Sequence, residues 1–295
     1  MIITNLIGGL GNQMFQFAAG RALALSLGQP LRVTTDGFAG YELHHGQQLE
    51  SAFGLNLETA SVSELRRIVG AGRTSHIVRR LAARTLLPGL TGGRFVAERS
   101  ARWQPGLPQR CQEGAYLHGY WQSERYFAHC ADAVRADFSW HAPLRGRNAE
   151  LAHEIHDSPG SVSLHIRRGD YLSTKANRTV YATCPVEYYQ AAVAALRGPV
   201  PLRLFAFSDD PTWTTQALAP RVGELVVVDH NLGEHSHLDM RLMAMCRHHV
   251  IANSSFSWWG AWLDARPNKR VITPRRWFID GRDDSDLVPE AWQKL

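Results

Sequence analysis

From Ser161 onward the chain repeats one pattern: a short apolar run of strand length, a polar exit, then a stretch with helical periodicity. Val162, Leu164 and Ile166 make the first run; residues 202–207, 224–228, 249–252 and 270–273 make the next four. Between them Pro185 opens a helical stretch that stops at Gly198, and Pro211 opens another. Residues 238–246 place Leu242, Met243 and Cys246 at helical spacing, and 254–264 read as a helix. Strands that alternate with helices imply a parallel sheet of Rossmann type. The N-terminus shows the same pattern. Residues 2–7 are strand-like, Gly8 to Gly11 form a turn, and 14–27 are an Ala- and Leu-rich helix closed by Gly28 and Pro30. Residues 31–35 are a second strand, ending at Asp36.

The expected fold class is therefore α/β. Residues 37–150 are less regular. Ser61 and Glu64 form a capping box, which predicts a helix from Ser61 to about Gly70. A second helix is expected over 75–87, before Pro88 and Gly89. It carries His76, Arg79, Arg80 and Arg84 beside Ile77, Val78 and Leu81. Such a helix can lie on a membrane surface. A packed helix with a solvated basic face is the preferred reading, because charge on one face is the norm. Polar residues 141–160, with Pro143, Gly146, Pro159 and Gly160, read as a linker. The expected domains are 1–150 and 151–295.

With 295 residues, 44% of them hydrophobic, the chain can bury two ordinary cores. No apolar run approaches the length of a membrane span. Residues 1–7 are short and uncharged and read as a core strand rather than a signal peptide. Cys111, Cys130, Cys184 and Cys246 lack CxxC spacing, which fits a reduced compartment and gives no zinc site. A net charge of +5 favours an anionic partner. The classes of such a partner are nucleic acid, a membrane surface and a phosphorylated substrate, and no nucleic-acid-binding pattern accompanies the charge.

Three polar clusters fall at three of the expected strand exits: His165 to Asp170, Ser208 to Asp210, and Asn253 to Ser257. Exits of parallel strands share one edge of a sheet, where ligands of open α/β folds bind. Arg167 offers a fixed fork of donors to a phosphate. Asn253, Ser254, Ser255, Phe256 and Ser257 run into a helix N-terminus, which favours an anion. Asp209 suits the N–H donors of a guanine edge or a ribose hydroxyl. Serines before a helix often do no more than cap it. For one cluster that reading is the better one; three clusters at successive exits favour a nucleotide pocket. The turn Gly8, Gly9, Gly11 is a partial dinucleotide fingerprint, with Met14 where the third glycine belongs and Asp36 near the place of a ribose acid. It implies close backbone approach, with Asn12 and Gln13 aimed at the crevice. Asp284 and Asp286 have the D-x-D form of metal-dependent sugar transferases, but their charged surroundings read as a surface tail.

Taken together, Gly8 to Phe17, His165 to Asp170 and Asn253 to Ala261 resemble the bacterial α-1,2-fucosyltransferases of glycosyltransferase family 11. Gly119 to Phe127 and Asp239 to Cys246 resemble that family too. The resemblance covers nearly the whole chain and is weakest over 55–110. It implies a GT-B-like architecture: two Rossmann-type domains facing across a cleft, the first on the acceptor side and the second binding GDP-fucose, with the last residues returning to the first. It implies GDP-β-L-fucose as donor, inversion, no cofactor or metal, and the 2-hydroxyl of a galactose-containing glycan as acceptor, as in O-antigen biosynthesis. His165 and Asp209, with Ser208, would contact guanine. Arg167 would bind the β-phosphate, with Asn253, Ser254, Ser255, Phe256 and Ser257 around the pyrophosphate. Asn12 would act from the first domain, beside Gly9, Gly11 and Gln13. Arg168 and Asp170 would brace the loop. Tyr120, Trp121, Gln122 and Glu124 would meet the acceptor. No general base is identified; Glu42, His44, His118 and Glu124 are the candidates. The expected location is cytoplasmic, with peripheral contact at the inner face of the cell membrane left open as an alternative. The competing readings are a GT-B transferase for another nucleotide sugar, an NAD-linked oxidoreductase built on the Gly8 turn, and a non-catalytic sugar-nucleotide-binding module.

Overall fold

The computed structural model describes residues 1–39, 45–84, 94–173 and 175–295. It divides into two compact units: Met1–His141 with Ser285–Leu287, and Ala142–Asp284 with Val288–Leu295. Each unit is a parallel sheet with helices, the α/β, GT-B-like class that the resemblance implies. The expected linker is not one. Gly146–His156 is a helix, and a boundary at 150/151 would cut it. Its polar residues are the solvent face, while Leu151 and Ile155 pack with Phe205, Phe207 and Leu242 of the second unit.

The second unit holds a six-stranded parallel sheet. Its strands are β5 (Ser161–Ile166), β6 (Arg203–Ser208), β7 (Leu225–Val228), β8 (His248–Val250), β9 (Val271–Thr273) and β10 (Gln293–Lys294), in the order β10-β9-β8-β5-β6-β7. All of β5 is buried, as a central parallel strand covered on both faces must be. It pairs Leu164 with Ala206 on one side and with Val250 on the other. The chain leaves β5 for β6 and β7, then returns to lay β8 on the opposite side. The switch point therefore lies between β5 and β8. Helix Ser255–Leu263 follows β8. Trp258, Trp259 and Trp262 anchor it in a cluster with ring centroids 5.0–6.1 Å apart. Truncating such a buried tryptophan costs about 3–5 kcal/mol, so the helix is firmly seated.

The first unit holds β1 (Ile2–Asn5), β2 (Leu31–Thr34), β3 (Phe95–Ala97) and β4 (Ala115–His118), in the order β2-β1-β4-β3 and all parallel. Its switch point lies between β1 and β4. Helix Leu10–Leu27 follows β1 and is buried along most of its length. It starts at Leu10, not at Met14, because Gly9 already serves as its N-cap. The capping box of Ser61 and Glu64 forms and opens helix Val62–Val69.

Helix His76–Arg84 is oriented opposite to expectation. Ile77, Val78 and Leu81 are 68%, 39% and 56% exposed, while Arg79 and Ala82 are buried. Arg79 draws the helix inward because its charge is fully matched. It pairs with Asp36, donates through Nε to the Tyr116 hydroxyl at 2.9 Å, bonds the carbonyls of Arg73 and Thr74, and lies over the Tyr116 ring. A buried guanidinium is tolerable only with its donors satisfied in this way.

Candidate functional site

Three loops leave the second unit's sheet at adjacent strands. The loop after β5 carries Arg167, Arg168 and Gly169; Asp209 and Asp210 follow β6; Asn253 to Ser257 follow β8. Asp209 grips the first of these loops. Its Oδ1 accepts the Arg168 backbone N–H at 2.8 Å, and its Oδ2 accepts the Gly169 N–H at 3.1 Å. Arg167 Nη1 stands 3.2 Å from the same Oδ2. A Cβ at residue 169 would meet that oxygen at 3.2 Å, so glycine lets the carboxylate close in. Arg168 turns aside to Asp210 at 3.2 Å and to the face of Trp213 at 4.0 Å. The guanidinium of Arg167 is half-buried and lies 5.9 Å from the Tyr171 ring. Tyr171 in turn donates to the carbonyl of Asn253 at 2.8 Å, which ties the β5 exit to the β8 exit.

His165 is buried at the end of β5, its ring 5.8 Å from that of Phe256. Burial, with Arg167 beside it, lowers its pKa to about 3, so the imidazole is neutral. Its Nδ1 is buried with no partner among the described residues. A neutral ring suits a nucleobase edge and does not suit a phosphate.

Several expected donor contacts are instead committed to the fold. Asn253 gives both amide hydrogens to carbonyls, those of Ala182 and Trp277, each at 3.0 Å. It holds two loops together and has no amide hydrogen left for a ligand. Ser254 caps the helix through the N–H of Phe256, and Ser257 donates back to the Ser254 carbonyl. Ser208 accepts from the N–H of Asp210 and from the Thr214 hydroxyl, both at 2.9 Å, and so shapes the β6 exit. Ser255 and Phe256, at the helix start, remain half-exposed.

The first unit places its polar residues at its own switch point. Gly8 has a φ of +78°, and a Cβ there would meet the Asn12 side chain at 2.9 Å. Asn12 sits in the first turn of helix Leu10–Leu27. Its Oδ1 accepts from Gln122 Nε2 at 2.8 Å, which links the β1 exit to the β4 exit. Gly9 is the N-cap and Gly11 is buried inside the helix. Gln13 is fully buried: its Nε2 donates to the carbonyls of Gly8 and Gly46, and its Oε1 accepts from the N–H of Gln48. It is a staple for the turn, not a ligand contact. Asp36, the position of a ribose acid, is taken by Arg79.

The most informative residue here is Glu98, which sequence reasoning missed. Its carboxylate accepts the backbone N–H groups of Tyr120 and Trp121 at 2.7 and 2.9 Å. A Cβ on Gly119 would meet Glu98 Cβ at 2.3 Å, so only glycine permits the contact. Burial pushes the Glu98 carboxyl up to about 7, against the pull of the two N–H donors. Trp121 is fully buried with a φ of +56°, a left-handed conformation that a bulky residue adopts only when its surroundings impose it. Tyr120 is exposed, and Glu124 opens the short turn Glu124–Tyr126. His118 lies beside the stacked pair Phe95 and Tyr116, and its pKa is lowered to about 4 by burial, with His76, Arg79 and Arg80 adding to it. Glu42 and His44 lie outside the described residues.

Against known proteins, residues 104–283 match the family described as Glycosyl transferase family 11. The chain belongs to glycosyltransferase family 11. It is a glycosyltransferase. An Escherichia coli alpha-1,2-colitosyltransferase is 32% identical over 301 residues, spanning 100% of this chain and 99% of its own length. The Escherichia coli O-antigen biosynthesis glycosyltransferase WbnK is 28% identical, spanning 98% of this chain and 99% of its own. The Sus scrofa galactoside alpha-(1,2)-fucosyltransferase 2 is 25% identical, spanning 88% of this chain and 68% of its own. The family match takes in the Gly119 loop and all three exits of the second unit.

Two constellations in this family 11 chain resemble catalytic motifs but are built otherwise. Asp284 and Asp286 do not share a site. Asp284 accepts from the N–H of Trp277 at 2.6 Å, while Asp286 is held by Arg102 and Arg125, each at 2.7 Å. Asp286 is thus an anchored, largely buried carboxylate and no loose tail. Ser163, His249 and Asp264 form a hydrogen-bonded chain of 2.9 and 3.1 Å, yet all three are buried. They fasten β5 and β8 to the end of helix Ser255–Leu263.

Proposed function

We propose that this glycosyltransferase moves L-fucose from GDP-β-L-fucose to the 2-hydroxyl of a galactoside in a glycan, with inversion and without a metal ion. The observation that carries the reading is Arg167, held by Asp209 at the sheet's switch point, on the strand next to the one that feeds helix Ser255–Leu263. Departing GDP gains negative charge as the glycosidic bond breaks. A fixed guanidinium and the N–H groups of a helix start stabilise that charge without a cation. The sugar carbon becomes oxocarbenium-like, so the acceptor hydroxyl needs orientation more than a strong base. His165, neutral and buried, suits the guanine edge. Asn12 and Gln122 offer neutral donors and acceptors of the kind that sugar hydroxyls pair with.

A second reading has its own support. A full-length relative at 32% identity is a colitosyltransferase. Colitose is fucose without its 3-hydroxyl, so one pocket contact decides between the donors. A site built to bond that hydroxyl rejects the deoxy sugar by about 10⁴-fold, whereas an apolar wall discriminates far less. The test is a panel of GDP-fucose, GDP-colitose and GDP-mannose with a β-galactoside acceptor in EDTA, the product linkage read by NMR. Transfer of fucose in an α-1,2 linkage is expected. Turnover with another donor alone would overturn the fucose reading, and strict Mg²⁺ dependence would overturn the metal-free one. Slow GDP-fucose hydrolysis without acceptor separates an enzyme from a mere binding module.

A further inference from the structure

Most exposed apolar side chains of this protein are scattered singly, as on any soluble surface. One region differs. Of the ten large apolar side chains strongly exposed among the described residues, four fall within Val62–Leu81: Val62 at 62%, with Ile77, Val78 and Leu81. The last three stand at i, i+1 and i+4 of helix His76–Arg84 and so fall within the arc of about 100° that one helix face covers. Arg79 and Ala82, on the other side, are buried, which fixes the helix with that face outward. Arg80 borders the face and is exposed, as are Arg66 and Arg67 on the preceding helix Val62–Val69. Between Ser61 and Arg84 the sequence holds six arginines and one acid, Glu64, which is engaged with Ser61 and Arg32.

We propose that this face docks the protein on the anionic surface of a lipid bilayer, with Ile77, Val78 and Leu81 entering the headgroup boundary and Arg66, Arg67 and Arg80 meeting acidic headgroups. Charge decides the occupant. A second copy of the chain would bring like-charged arginines together across a symmetric contact, which is repulsive. A nucleic acid would match the charge but leave three aliphatic side chains against water, and the face has no aromatic ring for a base to stack on. An acidic bilayer satisfies both: aliphatic groups leave water at the acyl boundary while basic residues gain from the negative surface potential. The proposal stands apart from the assignment of donor and acceptor, because none of these residues belongs to either strand-exit site.

The test is co-sedimentation of the full chain with vesicles of phosphatidylcholine alone and of phosphatidylcholine mixed with phosphatidylglycerol. The wild type should sediment with the mixed vesicles and stay in solution with the neutral ones, and added salt should weaken the binding. I77S/V78S/L81S should lower the partition coefficient about tenfold or more, by removing aliphatic surface from the boundary. R66A/R67A/R80A should do the same by removing charge. All three proteins should keep wild-type transfer to a soluble acceptor and wild-type melting, because the changed side chains are exposed. No sedimentation of the wild type, equal binding to neutral vesicles, or undiminished binding of the serine variant would overturn the proposal. So would a dimer in analytical ultracentrifugation that the serine variant abolishes, since it would give the face to a second copy.

Discussion

The two units fix their switch-point loops with the same device and give it opposite chemistry. In the second unit, Asp209 from the β6 exit accepts two consecutive backbone N–H groups of the neighbouring β5 exit, those of Arg168 and Gly169. In the first, Glu98 from the β3 exit accepts two consecutive N–H groups of the neighbouring β4 exit, those of Tyr120 and Trp121. A glycine lets the carboxylate approach in both, Gly169 in one and Gly119 in the other. Asp209 also faces a cation, Arg167, and the loop presents positive charge. Glu98 is half-buried, no cation is among the groups that set its pKa, and its loop presents Gln122 and aromatic rings. Parallel topology thus decides where a ligand edge lies. The partner of the anchoring carboxylate decides whether that edge suits a pyrophosphate or a neutral sugar.

The largest effect should come from breaking the charged half of this comparison. Arg167→Ala removes the guanidinium proposed to meet the leaving group, and transfer should fall about 10²–10³-fold, the scale of losing a preorganised charge donor. GDP affinity by calorimetry should fall with it, and melting should change little for a half-exposed side chain. Near-normal activity would sink the placement of the pyrophosphate. Next in size is Asp209→Asn. The amide can accept one of the two N–H groups but not both, so the loop loosens and activity should drop about ten- to a hundredfold. If Asp209 acts through Arg167, the double variant R167A/D209N should be no slower than R167A alone. Additive losses would show that Asp209 has a contact of its own with the ligand, such as the guanine edge.

The second unit was far more legible than the first, for physical reasons. Parallel strands buried on both faces leave continuous apolar runs, so all but the two-residue β10 could be placed within a few residues. Phe95–Ala97 and Ala115–His118 are no shorter than β8 and β9, but no regular alternation of strand and helix flanks them in the sequence. Side-chain roles were harder still. Asn253 looks like a ligand residue because its motif is polar. Its partners, Ala182 and Trp277, lie 71 and 24 residues away and are invisible locally. Gln13 is lost to the turn in the same way, through Gly46 and Gln48. Glu98 carries no local signal, since its meaning comes from a missing Cβ at Gly119. Helix His76–Arg84 was legible as a helix, but which face turns inward is decided by Asp36 and Tyr116. A periodic pattern fixes an element and leaves a buried charge free to reverse it.

Glu98→Gln sharpens the comparison through pH. Folding raises the carboxyl from 4.5 to about 7, so the native state binds the proton more tightly and loses stability as pH rises through that window. The loss amounts to about 3 kcal/mol across it. Asp239, raised by burial from 3.8 to about 7, acts in the same direction. His118 and His165 act oppositely: lowered from 6.5 to about 4 and about 3, they make the native state gain stability as pH rises toward 6.5. The wild-type curve mixes these opposing contributions, but the difference between E98Q and wild type isolates Glu98. In urea titrations, E98Q should gain on the wild type by about 2–3 kcal/mol between pH 4.5 and 7. A flat difference would mean that Glu98 titrates as an ordinary surface acid and does not anchor the loop as a buried group. At fixed pH, E98Q should also cut kcat about tenfold while GDP affinity holds, because the loop it displaces is not the charged one.

The smallest effect is expected at the bond between Gln122 and Asn12, and it bears most directly on the neutral half. The bond is 2.8 Å long, uncharged, and made by two half-buried side chains. Losing one such bond costs about 0.5–1.5 kcal/mol, or roughly two- to tenfold in a binding constant. Asn12 stays in place without it, since the first turn of helix Leu10–Leu27 holds its backbone. Gln122→Ala should therefore raise the acceptor KM a few-fold and leave GDP affinity and kcat nearly unchanged. Asn12→Ala should cost more than Gln122→Ala if Asn12 itself meets the reacting sugar. Were Gln122→Ala instead to weaken GDP as much as acceptor, the β4 exit would be serving the nucleotide. The division of labour between a charged and a neutral switch point would then fail, even with Arg167 confirmed as essential.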